Sequence, residues 1–142
     1  MTKYEELVDA VHESEILYIT TASSRIPAQS IRVGKEYGIF FNDSAFDTSA
    51  ERYVALAHEK AHCDTGALYT IESPIFERER YENQAWKRTI NVLMPFDEMK
   101  RVFDTCIYVD GLDLYEFAEK LEVTPEFAQR AIEHYHKQGY SW

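Results

Sequence analysis

Five consecutive residues, His58-Glu59-Lys60-Ala61-His62, carry the densest chemistry in this chain. On a helix, residues at i and i+4 stand one above the other on the same face, so two imidazole nitrogens can reach one tetrahedral zinc ion. Glu59 lies about 100° further around the axis, close to the ion but poorly placed to ligate it. A carboxylate there can take a proton from a water whose pKa the ion lowers to about 7. The spacing supplies two metal ligands, His58 and His62, and a general base, Glu59.

Zinc in a catalytic site needs a third protein ligand. The next histidine after His62 is His134, so a carboxylate from a second helix is the alternative. A helix expected from about Glu77 to Leu93 offers Glu77, Glu79 and Glu82. Glu82 is the preferred choice, because it aligns with Ala85 and Thr89 on a face of small residues that lets two helices approach. Glu77 and Glu79 fall in a Glu-Arg-Glu-Arg run of solvated character, and the competing role for Glu82 is a surface ion pair with Lys87 or Arg78. Cys63 follows His62 directly, but its direction differs by about 100°, which turns it from the ion and assigns it to packing. Tyr53, Tyr69 and Tyr81 lie near the motifs as candidate donors to a developing oxyanion; the residues do not choose among them, and the alternative for each is a buried core tyrosine.

These side chains need elements to hold them. Thr48 with Glu51 forms a capping box, no Pro or Gly interrupts Ser49 to Thr65, and Gly66 suits a left-handed cap, so the motif lies on one largely buried helix. Ahead of it come an amphipathic helix from Lys3 to about Ser14, with Tyr4, Leu7, Val8 and Val11 on one face, and a short apolar run, Ile16 to Ile19. A β-hairpin follows, Ile31 to Val33 and Tyr37 to Phe41 around Gly34-Lys35. A sheet edge beside the motif helix could bind an extended peptide as an added strand. Beyond the connection from Leu68 to Phe76, the second helix stops at Met94-Pro95. Asp97 is expected to cap a short helix through Phe103, Asp110-Gly111 to turn, and Asp113 with Glu116 to cap Leu114 to Leu121. Thr124-Pro125 opens the last helix and Gly139 closes it. The expected fold is a mostly helical α+β domain with one small sheet. It is read as a single domain, residues 1–142: an N-terminal helix and sheet (1–47), the two metal-binding helices (48–95) and a helical C-terminal part (96–142).

Bulk properties narrow the function. Hydrophobic residues make up 45% of 142, too many for a disordered chain, yet no apolar run approaches the roughly 20 residues of a membrane span. The N-terminus turns acidic at once and lacks a signal-peptide core, so the cytoplasm is the expected location. Cys63 and Cys106 read as reduced thiols. A net charge of −10 repels nucleic-acid phosphates. The one dense basic cluster, Arg78, Arg80, Lys87 and Arg88, is interleaved with Glu77, Glu79 and Glu82. Neither nucleic acid nor membrane is an expected partner.

The segment His58 to Gly66, followed by Glu82-x-x-Ala85-Trp86 and closed by Leu93-Met94-Pro95, resembles the ImmA/IrrE metallopeptidases of phages and mobile elements. The resemblance covers roughly residues 35 to 130. In that family the first motif is usually HELGH, and a Glu-x-x-Ala helix ending in Leu-Met-Pro supplies the last zinc ligand. The resemblance implies a zincin-like fold with one Zn²⁺ per chain on His58, His62 and Glu82, and Glu59 as catalytic base. It also implies an endopeptidase that cuts a helix-turn-helix transcriptional repressor of a phage or mobile element and so releases gene expression. Lys60-Ala61 replaces the usual Leu-Gly. Trp86 stands where the family often has Asn or Asp, a partner for a zinc-bound histidine; Asp64 could take that role or be a helix-end surface carboxylate. These departures keep a second expectation open, a non-proteolytic anti-repressor that retains the fold and acts by contact. Leu114 to Ala128 reads like two helices of a helix-turn-helix. Residues 113–142, however, carry six acidic and three basic side chains, which favours a helical cap over the metal helices or a surface for a protein partner.

Overall fold

The computed structural model describes residues 1–22, 25–70 and 72–140. Its elements run α1 (Lys3–Glu13), β1 (Leu17–Thr20), β2 (Ala28–Val33), β3 (Glu36–Phe41), α2 (Ser49–Thr65), α3 (Ile75–Leu93), α4 (Phe96–Asp104), β4 (Ile107–Tyr108), β5 (Gly111–Leu112), α5 (Leu114–Leu121) and α6 (Pro125–Lys137). The fold is mixed α+β and mostly helical. No described helix is long and apolar enough to cross a membrane.

β3 is the middle of a three-stranded sheet, with β2 antiparallel on one side and β1 parallel on the other. Alternation buries Ile39 and Phe41 fully, on the face that meets Val11 of α1 and Leu56 and Cys63 of α2. Ser30 pairs with Ile39 and so shares the helix-facing side. The apolar run at Ile16 to Ile19 is thus a strand, β1. Its partner lies some twenty residues on, and such non-local pairing leaves no periodic trace in the run itself.

A second core joins Tyr53, Val54 and Ala57 of α2 to Ile90 and Leu93 of α3 and to the C-terminal helices through Phe117, Leu121, Phe127 and Tyr135. The C-terminal helices therefore pack against α2 and α3 as a cap. Tyr135 adds a long-range tie, its hydroxyl donating to the Met94 carbonyl at 2.6 Å where α3 ends.

Helix limits follow local chemistry. Thr48 accepts from the Glu51 N–H, Asp113 from the Glu116 N–H and Thr124 from the Phe127 N–H. The box at Thr48 closes one residue early: the Glu51 carboxylate accepts from the Asp47 N–H at 2.9 Å. Three expectations need correction. α3 begins at Ile75, two residues before Glu77, because Pro74 fixes the chain for helical entry. α4 begins at Phe96 behind Pro95 for the same reason, so Asp97 sits in its first turn instead of capping it. The single sheet becomes two: Gly111 at φ 113° turns the chain so that β4 pairs with β5, strands of two residues that are too short to show alternation.

Candidate metal centre

α2 places His58 and His62 on its buried face, and α3 brings Glu82 across to them. The approach is close because Ala85 and Thr89, which share Glu82's side of α3, are small and fully buried. His58 Nε2 lies 3.0 Å from Glu82 Oε2, His62 Nε2 lies 2.9 Å from Glu82 Oε1, and the two Nε2 atoms are 3.2 Å apart. Donor atoms about 2.0–2.1 Å from one tetrahedral ion would be separated by roughly 3.3 Å. Three ligand-type side chains at close to that spacing could hold a metal ion. Glu77 and Glu79 stand outside this group.

The hydrogen bonds of His62 fix which of its nitrogens faces the cluster. His62 Nδ1 sits 2.6 Å from the Ala67 carbonyl, which can only accept, so Nδ1 carries a proton. In a neutral ring the Nε2 lone pair then faces the Glu82 oxygen, an arrangement that calls for a cation between them, either a proton or a metal. Burial lowers the pKa of His62, but the Glu82 hydrogen bond, the Ala67 carbonyl and the charges of Glu59 and Glu82 together raise it above the usual histidine value. Hydrogen bonds from His58 and His62 hold Glu82 well below the usual carboxylate range. Gly66 makes the Ala67 contact possible. At φ 69° it ends α2 in the left-handed region and turns the following carbonyl back onto His62.

Glu59 is held from the sheet. The Ser30 hydroxyl is 2.5 Å from Glu59 Oε2 and 2.8 Å from the Glu59 backbone carbonyl, so one O–H serves two acceptors on the same residue. A cavity of about 160 Å³, room for several waters, is bounded by Glu59, His62, Glu82, Tyr69, Ser30 and Gln29. Ser30 is a further residue of the site that the motif spacing does not reveal. A polar residue on the helix-facing side of a strand was the signal, but it becomes readable only once the register with Ile39 is known.

Of the three tyrosines, Tyr69 reaches the cluster, its hydroxyl donating to Glu82 Oε1 at 2.9 Å. Burial and the adjacent carboxylate push it up to about 12. Tyr53 belongs to the larger core, and Tyr81 lies under the Arg80 guanidinium. Cys63 packs in the smaller core, where burial pushes its thiol up to about 11. Asp64 pairs with Lys60 at 2.7 Å, the helix-surface alternative. Trp86 packs against His58 in a tilted stack, ring centroids 4.0 Å apart at 33°.

The chain matches no protein-family model, no curated protein and no solved structure.

Proposed function

We propose that this chain is a zinc-dependent endopeptidase with a zincin-like centre, of the ImmA/IrrE type. The observation that carries the reading is the convergence of His58 Nε2, His62 Nε2 and the Glu82 carboxylate at tetrahedral-edge spacing, with the Glu59 carboxylate on the adjoining wall. The His-His-carboxylate set is one that zinc favours in hydrolytic sites. Zinc, when bound, supplies a Lewis acid that polarises a peptide carbonyl and acidifies a water.

The chain's own groups supply the rest. Glu59 takes a proton at its carboxylate and returns it to the leaving amine nitrogen, with Ser30 fixing the carboxylate's direction. Tyr69 brings a hydroxyl to the Glu82 side of the cavity, a donor that could turn to a carbonyl oxygen as charge develops on it. Among the described residues β2 has a sheet neighbour on one side only, and it borders the cavity, so an extended peptide can pair along its other edge. The proposed substrate is a helix-turn-helix repressor of a phage or mobile element, cut to release transcription; this part rests on the motif resemblance.

The decisive experiment mixes the zinc-loaded protein, or its Glu59→Gln variant, with a candidate repressor and follows fragments by mass spectrometry. The variant should keep its zinc and its fold and lose cleavage by at least about a hundredfold. Repressor inactivation that persists unchanged in Glu59→Gln would replace the protease with the contact-only anti-repressor.

A further inference from the structure

The two histidines of the centre are held differently. His62 has both ring nitrogens engaged, Nδ1 by the Ala67 carbonyl and Nε2 by Glu82. His58 Nε2 faces Glu82, but its Nδ1 is the one buried side-chain nitrogen or oxygen among the described residues with no hydrogen-bond partner. A metal-binding histidine normally has its ring orientation fixed by a bond from that second nitrogen. Without it the imidazole torsion is soft, since rotation about a bond to a planar ring has broad minima.

Trp86 occupies the place where such support is needed. Its indole lies 4.0 Å from the imidazole at 33°, close enough to parallel to restrict the ring plane, while Glu82 determines which edge faces the cluster. The indole is itself gripped from α6. The Arg130 guanidinium sits over it at 4.2 Å, and Phe127, one turn earlier on α6, meets it at 6.0 Å. Arg130 makes no ion pair within 4 Å among the described residues, although Glu126 and Glu133 share its helix. Its positive group is directed at the ring, the geometry of a cation–π contact.

Resting on the metal reading above, we infer that Trp86, braced by Arg130, is a positioning residue of the metal centre: it orients His58 by stacking where no hydrogen bond does. The C-terminal helices thereby bear on the metal affinity of α2 through one side-chain relay. A residue that merely fills space would change stability and leave the affinity of the folded protein unmoved.

The test measures zinc affinity of the full chain by competition with a chromophoric chelator, beside thermal melting of the metal-free protein. Trp86→Ala should weaken zinc binding about tenfold, or about 1.4 kcal/mol. Trp86→Phe should recover most of the loss, because a smaller ring still stacks. Arg130→Met, on the exposed side of α6, should weaken binding in the same direction by a smaller factor with little change in melting. Zinc affinity in Trp86→Ala within twofold of wild type, or no recovery in Trp86→Phe, overturns the inference and leaves the zinc reading standing. If Trp86→Ala does not fold, Trp86→Phe and Arg130→Met decide: a loss in Arg130→Met supports the brace, and unchanged affinity in both removes it. A wild type that takes up no zinc sinks the metal reading and this inference together.

Discussion

Replacing Glu82 by Gln should change how stability depends on pH, and in opposite directions with and without metal. The Glu82 carboxylate faces His62 Nε2 at 2.9 Å, so a proton can be shared between them whenever chelator keeps metal away. A hydrogen bond between charged partners contributes about 1.5–3 kcal/mol when sheltered. The Glu82 side chain is 33% exposed, so solvent screening reduces this pair to roughly 1 kcal/mol. For a chain of this size that corresponds to about 3–4 °C in melting temperature. The His62 pKa is raised above its usual 6.5, so its share is fully present below pH 6.5 and is lost as pH rises through the folded value. The Glu82 pKa is lowered from 4.5, so its share is present above pH 4.5 and is lost as pH falls through the folded value. The pair therefore stabilises most between pH 4.5 and 6.5. Circular-dichroism melts in chelator should show the widest gap between wild type and Glu82→Gln near pH 5.5, narrowing toward pH 8. With zinc present the trend should invert, because the metal competes with protons for the same nitrogen and binds better as pH rises. A gap that stays constant from pH 5 to 8 in chelator would refute the pairing, and one that fails to widen with pH in zinc would refute the metal site.

Ser30→Ala removes the hydroxyl that holds Glu59 and should lower kcat on the order of tenfold with zinc content unchanged; steady-state kinetics beside metal analysis checks both. Gly66→Ala should lower the melting temperature by about 3 °C or more, since φ 69° costs an L-residue roughly 1–2 kcal/mol and a Cβ would come within 3.3 Å of the Tyr37 hydroxyl. The same change should weaken zinc binding by disturbing the Ala67 carbonyl on His62, and equal affinity would show that contact to be dispensable. Cys63, with its thiol pushed up to about 11, should react with an aromatic disulfide at pH 8 at least about a hundredfold more slowly in the native protein than in denaturant.

Much of this arrangement could be read from sequence because its signals are local. Caps at Thr48, Asp113 and Thr124, the stop at Pro95 and the turn at Gly66 each act within about four residues, and the helix ends they set agree with the structure. Glu82 was accessible for a related reason: its helical phase with Ala85 and Thr89 marks the side of α3 that can approach another helix. The features that escaped depend on partners distant in sequence. β1 is fixed by parallel pairing with β3, Ser30 acquires its role from the approach of β2 to α2, and Trp86 from being gripped by α6. Asp97 resembles a helix cap by composition, but Pro95 starts the helix first.

The position of β2 carries one more consequence. Strand residues alternate faces, so a chain laid along its outer edge can slip by two residues, about 6.8 Å, and keep the same side chains inward; a slip of one exchanges them all. Ser30 lies on this same strand and touches Glu59, so under the proposed function the edge that would align a peptide is directly connected to the group that would act on it. Cut positions would then be quantised. Secondary products should fall two residues from the main site and not one, and a single-residue insertion beside the scissile bond should damage cleavage more than an insertion of two.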